Sequence, residues 1–102
     1  MKKEDPLRET QEGTDSQVIL IPQHKVILHN DDITPMDFVI SVIVRFFSLE
    51  HEKAREVMIE AHKSGYALVA IMPLERAEFK VEQAHNYARG FDYPLTFTIE
   101  PV

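Results

Sequence analysis

Between Met36 and Phe47 only Asp37, Ser41 and Arg45 interrupt a run of large apolar side chains. The segment opens with helix-start chemistry. Thr34 offers a hydroxyl N-cap, Pro35 stands at the first helical position where no backbone donor is missed, and Asp37 adds an acid to the first turn. The pattern predicts a helix from about Pro35 to Phe47 that is apolar on most of its circumference, and such a helix is stable only when it is buried. A chain of 102 residues has room for one domain and one modest core, because chains of this size bury only about two-thirds of the surface they expose when unfolded. This helix is therefore expected at the centre, and the rest of the chain has to cover it.

The covering elements can be read from their periodicity. Lys25-Val26-Ile27-Leu28-His29 is a β-branched run ended by the turn-forming Asn30-Asp31-Asp32, and it predicts a strand. From about Glu50 to Ser64, Ala54, Val57, Met58 and Ala61 repeat at the spacing of one buried helical stripe, and Gly65 follows as a C-terminal stop. Tyr66 to Met72 is short, apolar and bounded by Gly65 and Pro73, which favours a buried strand. From Leu74 to Arg89, Ala77, Val81, Ala84 and Ala88 return to helical spacing before Gly90. Leu95 to Glu100 alternates between apolar and polar, the mark of a strand with one wet face. The order is β-α-α-β-α-β. The expected class is α+β, a small three-stranded antiparallel sheet packed against three helices.

Residues 1–17 hold three basic and five acidic groups and few apolar side chains, so they cannot bury enough area to offset their ordering entropy. They read as a flexible N-terminal extension, and residues 18–102 as one domain. The amino terminus turns acidic at once and lacks the apolar centre of a secretory signal, so the expected location is cytoplasmic. No stretch approaches the roughly 20 apolar residues of a membrane span. The absence of cysteine excludes disulfides, thiolate metal sites and cysteine nucleophiles. Eleven basic residues against 17 acidic ones leave a net charge of −6, which repels phosphate backbones and favours cationic ligands. Neither nucleic acid nor membrane is an expected partner.

The densest polar cluster in an apolar neighbourhood is Asn30-Asp31-Asp32, between a strand end and a helix start. Its carboxylates have three possible uses: capping the helix, binding a metal, or holding a cation. Clusters of this kind most often serve as turn and cap residues. His62 lies four residues after Met58 at the edge of the second helix's apolar stripe, where a histidine is more often half-buried than functional. His24, His29, His51 and His85 form no i, i+4 metal pair, and there is no HExxH, no GxSxG elbow and no phosphate loop. No metal, cofactor or enzymatic activity is expected. Met36, Met58 and Met72 suit either core filling or an adaptable apolar pocket.

The run Lys25-Val26-Ile27-Leu28-His29-Asn30-Asp31-Asp32-Ile33-Thr34-Pro35-Met36-Asp37-Phe38-Val39 resembles the opening of the ClpS family of protease adaptors. The likeness continues through Phe46-Phe47, Met58, His62, Gly65, Ala77 to Val81, Tyr87-Ala88-Arg89 and Pro94-Leu95, about residues 24 to 100. It implies an N-end rule adaptor. Such a protein binds N-degrons, polypeptides whose first residue is Leu, Phe, Tyr or Trp, and delivers them to the ClpA-type AAA+ unfoldase of ClpAP without performing chemistry.

By this resemblance Asn30, Asp31 and His62 would hydrogen-bond the ligand's free α-amino group. An ammonium needs acceptors and favours a carboxylate, and such a charge-assisted bond contributes roughly 1.5–3 kcal/mol. His62 would accept through a ring nitrogen and so has to be neutral, which makes binding weaken in mild acid. The side-chain pocket would be lined by Asp32, Thr34, Met36, Val39, Met58, Ala61 and Leu95, with Met36 as the gatekeeper against β-branched first residues. A Leu or Phe buried there gains roughly 1.5–3 kcal/mol. Glu75 and Lys80 match positions that contact the unfoldase's N-terminal domain in the family, although an acid in a first helical turn and a solvated lysine need no partner.

The chain departs from the family pattern at three points. Ile33 stands where an aromatic is often found, and strand two with Pro73-Leu74 differs from the usual small-residue strand and polar helix lead-in. Ala61 replaces a larger aliphatic, which widens the pocket for aromatic ligands. Two other readings make different predictions. A binding module serving another degradation system would keep N-end recognition without docking to ClpA. An acid–base hydrolase using Asp31, Asp32 and His62 would accumulate product, but it lacks a nucleophile and an oxyanion site.

Overall fold

The computed structural model describes residues 20–102. The elements run β1 (Gln23–His29), α1 (Met36–Phe47), α2 (His51–Ser64), β2 (Tyr66–Pro73), α3 (Leu74–Arg89) and β3 (Thr96–Pro101). They form one antiparallel sheet in the order β2-β1-β3. The expected class and element order are both observed. Residues 1–17, read above as an extension, lie outside the described residues.

Helix α1 is not covered on all sides as its apolar pattern suggested: it buries one face and leaves Met36, Asp37, Ser41 and Arg45 exposed. Val42 and Ile43 of α1 are fully buried, and Val39 and Phe47 nearly so. They pack against Val26 and Leu28 of β1, Ala54, Val57, Met58 and Ala61 of α2, and Ala77, Val81, Ala84 and Ala88 of α3 in one continuous core. The alanine stripe on α3 lets that helix lie close to its neighbours. Arg89 at its end donates to the carbonyls of Tyr93 and Leu95, each at 2.8 Å, and so fixes the turn that leads into β3.

The start of α1 differs from the expected capping. Pro35, extended at φ −63° and ψ 143°, is itself the N-cap, and no side chain caps this helix end. The Pro35 carbonyl accepts the first helical bond from the Val39 amide at 3.1 Å. Thr34 is buried, and its hydroxyl donates to Asp31 Oδ2 at 3.0 Å instead of reaching forward to the helix. The acid three residues upstream is the stronger acceptor and is already held against the loop, so it captures the hydroxyl.

Strand β2 is apolar throughout, so its sequence shows no alternation, and it contains a bulge. Val26 pairs with Ala70 while Ile27 pairs with Leu68, so Val69 is an extra residue in the ladder. Ala67 and Val69 face the core before the bulge, and Ala70 and Met72 pack against it afterwards. Tyr66, Leu68 and Ile71 are left on the exposed side. At the other end of α2, Gly65 takes φ +95°, a left-handed conformation that a side chain would strain, and its amide returns to the Ala61 carbonyl at 2.8 Å.

His85 ties α3 to β3. Its Nε2 accepts the Phe97 amide at 2.9 Å, and its ring lies against the Phe97 ring. Burial, reinforced by the nearby Arg89 charge, lowers its pKa from the usual 6.5. The unfolded chain thus binds more protons than the folded one between that lowered value and 6.5, so stability rises with pH across this window and is lost as pH falls through it. Urea unfolding at pH 7.5 and 5.5 is expected to show a smaller acid loss for His85→Gln than for the wild-type chain. An identical loss in both would remove His85 as a source of acid sensitivity.

Candidate functional site

The end of β1 and the end of α2 meet through one backbone bond, from the Asn30 amide to the Gly65 carbonyl at 2.9 Å. That bond brings Asn30-Asp31-Asp32 next to the last turn of α2, which carries Ala61 and His62. Between them opens a cavity of about 160 Å³ lined by Leu28, His29, Asn30, Asp31, Asp32, Thr34, Met36, Val39, Met58, Ala61, His62 and Leu95.

All ten residues assigned to amine and side-chain binding from the sequence lie on this one wall. Its polar members form the rim, with Asn30, Asp32 and His62 exposed and Asp31 half-buried. Its floor is apolar, formed by the buried Leu28, Val39, Met58, Ala61 and Leu95. Met36 is 49% exposed and stands at the mouth. Among the described residues no group of three or more His, Asp or Glu side chains could hold a metal ion.

Asp31 is the most constrained of the rim residues. Its Oδ1 accepts the amides of Ile33 at 2.8 Å and Thr34 at 2.7 Å, and its Oδ2 accepts the Thr34 hydroxyl. These bonds fold residues 31–34 into a tight Asx-type loop and hold the carboxylate still. A carboxylate can accept about four hydrogen bonds, so Oδ2 keeps the capacity to take a further donor from the cavity side. Of the three uses open to this cluster, capping α1 is excluded, because no side chain caps that helix. What the arrangement can do is hold a cationic donor at the rim while an apolar group fills the cavity beneath it. A cavity of roughly 150 Å³ with aliphatic and aromatic walls takes up one benzene ring.

The other two residues singled out from the sequence lie elsewhere. Glu75 is exposed in the first turn of α3, beside a hollow lined by Ile21, Pro22, His24, Pro73 and Leu74. Lys80 lines a second hollow with Gln23, Phe47, Ala70, Met72 and Arg76. Leu28 and His29 also line the main cavity, although the sequence reading left them in the strand. The signal was present for Leu28: it shares the inward face of the strand with Val26 and lies two residues before Asn30.

Comparison with known proteins agrees with this geometry. The model of the family described as ATP-dependent Clp protease adaptor protein ClpS matches residues 21–98. The ClpS adapter of Ruegeria sp. (strain TM1040) is 49% identical over 79 residues, which is 78% of this chain and 70% of the relative. That of Shewanella denitrificans is 38% identical over 100 residues and 98% of both chains. Among solved structures, Agrobacterium tumefaciens ClpS2 bound to L-phenylalaninamide superposes with a TM-score of 0.78 at 36% identity, over 81% of this chain and 100% of that one. No helix among the described residues is long and apolar enough to cross a membrane. With a family model that matches residues 21–98, most of the sheet-and-helix unit, and relatives covered over 70% and 98% of their own length, the chain belongs to the ClpS family of ATP-dependent Clp protease adaptors.

Proposed function

We propose that this protein binds the free amino terminus of polypeptides whose first residue is Leu, Phe, Tyr or Trp and delivers them, in the cytoplasm, to the ClpA-type unfoldase of ClpAP. The observation that carries this reading is the immobilised Asp31 carboxylate at the polar rim of an open cavity of about 160 Å³ with an apolar floor. Asn30, Asp31 and His62 bind the α-ammonium, and Leu28, Met36, Val39, Met58, Ala61 and Leu95 receive the side chain. Asp32 and Thr34 complete the rim. L-phenylalaninamide, the ligand of the related ClpS2, supports this assignment because it combines a free α-amine with a benzyl group and a capped carboxyl. The protein binds and hands over its ligand and performs no chemistry on it.

Delivery requires a second surface. Glu75 and Lys80 lie on α3 beside two hollows that share Pro73, and Leu20, Ile21, Ile71 and Leu74 are exposed in the same region. Exposed apolar side chains next to charged ones suit a docking surface, and we assign the unfoldase contact there. The residue 1–17 segment then acts in hand-over and has no part in recognition. Deleting it is expected to leave peptide affinity unchanged while slowing degradation by ClpAP; equal degradation rates with and without it would refute that role.

The deciding experiment is a fluorescence-anisotropy titration with a peptide beginning with Phe, its Nα-acetylated twin, and one beginning with Val. Only the free Phe peptide is expected to bind, at micromolar or tighter affinity. Acetylation removes the charge and adds bulk where the ammonium should sit, and the β-branched Val is blocked by Met36 at the mouth. Binding that is indifferent to acetylation would overturn the reading.

A further inference from the structure

A further hollow, separate from those beside Glu75 and Lys80, lies at the first turn of α1 and is lined by Pro35, Asp37, Phe38, Ser41, Phe91 and Tyr93. We propose that it is a subsite for a lysine or arginine side chain at the third to fifth position of the bound polypeptide, with arginine preferred. The proposal rests on the N-terminal recognition proposed above and extends it to a downstream residue.

The first support is continuity. Pro35 stands between Thr34 and Met36, both of which line the first cavity, and Tyr93 lies two residues before Leu95, which lines its floor. The two hollows therefore share the start of α1 and the segment leading into β3. Arg89 holds that segment by donating to the Tyr93 and Leu95 carbonyls. An extended ligand advances about 3.3 Å per residue, so a chain leaving the first cavity over Pro35 reaches this further hollow within a few residues.

The second support is the chemistry of the lining. Phe38 is the hub of a rigid aromatic cluster, stacked on Tyr87 with centroids 5.6 Å apart and set edge-on to Phe91 at 5.2 Å and Tyr93 at 4.8 Å. Phe91 is nevertheless 53% exposed. Asp37 is exposed at the same hollow, its Oδ1 accepting the Phe38 amide. Aromatic faces beside a carboxylate suit a cation, and a guanidinium better than an ammonium, because it is planar and can stack while it pairs. The cluster already holds one guanidinium, since Arg45 lies 4.8 Å from the Tyr87 centroid and 5.6 Å from that of Phe46. Charge points the same way, since the path from the first cavity passes Asp31, Asp32 and Asp37 and the chain carries a net charge of −6.

The test uses the full chain and peptides that begin with Phe, continue with alanine and are labelled at the carboxyl end, with Arg, Leu or Glu placed singly at positions 3, 4 and 5. Arginine at one of these positions is expected to tighten binding about two- to fivefold over the all-alanine peptide, the range of an exposed cation–aromatic contact. Leucine there gives no comparable gain, and glutamate weakens binding. In Phe91→Ala and in the milder Phe91→Leu, the arginine gain disappears while affinity for the all-alanine peptide stays unchanged. A gain that survives both Phe91 variants comes from the overall negative field and overturns the proposal, as does an equal gain with leucine. Binding of the all-alanine peptide with no arginine gain at any position overturns the subsite alone. Failure of that peptide to bind overturns the parent reading and the subsite with it.

Discussion

A peptide beginning with phenylalanine is expected to lose about 10- to 100-fold in affinity when His62 is replaced by alanine, and a similar amount in Asp31→Asn, because on the proposed function each change removes one charge-assisted hydrogen bond to the ammonium. Asparagine is the informative replacement at position 31. Its Oδ1 can still accept the Ile33 and Thr34 amides that shape the loop, so the fold of residues 31–34 is kept while the charge is lost. Asp31→Ala removes both and is expected to cost more. The effect belongs to the amine, so an acetylated peptide, already weak, loses little further in any of these variants. Anisotropy titrations of both peptides against the three variants make the comparison. Full affinity in His62→Ala, or equal losses for the free and acetylated peptides, would mean that the rim does not read an amino terminus.

The second large effect concerns the core. Ile43 is fully buried at the middle of α1, in the core that this helix shares with the sheet and with α2 and α3. Ile43→Ala is expected to destabilise the domain by about 2–5 kcal/mol, the cost of the lost methyl groups and the cavity left behind. Domains of this size are stable by only about 5–15 kcal/mol, so a large share of the margin disappears. Urea unfolding checks this: the midpoint should fall with no change in slope, since the surface exposed on unfolding is nearly the same. Because Ile43 lies outside the cavity lining, the protein that remains folded should bind the Phe peptide with unchanged affinity. A destabilisation below about 1 kcal/mol would mean that this site relaxes around the lost atoms and that α1 is not the packing centre.

Much of the candidate cavity lining was legible before the fold was known, and for a definite reason. Asn30, Asp31, Asp32, Thr34 and Met36 are close in the chain, so their clustering needs no tertiary information, and the apolar stripe on α2 put Met58 and Ala61 on one face with His62 at its edge. Thr34 was misassigned because two acceptors competed for its hydroxyl. Local sequence suggested that it capped α1, whereas the folded loop put Asp31 Oδ2 3.0 Å away. The bulge at Val69 was equally hidden, since a fully apolar strand has no alternation from which a slip in register could be read.

By itself, the sequence determined the elements and their faces, because helical and strand periodicity, proline, and the left-handed turn at Gly65 act within a few residues. Its net charge of −6 also favours a cationic ligand. Only the tertiary structure decided that β1 lies between β2 and β3, that the Asn30 amide reaches the Gly65 carbonyl, and that His62 and Leu95 therefore close the same cavity as Asp31. These are pairings between residues that no local periodicity relates. They are chosen by which faces bury the most apolar surface together while satisfying their backbone donors and acceptors, a condition set by the whole core at once.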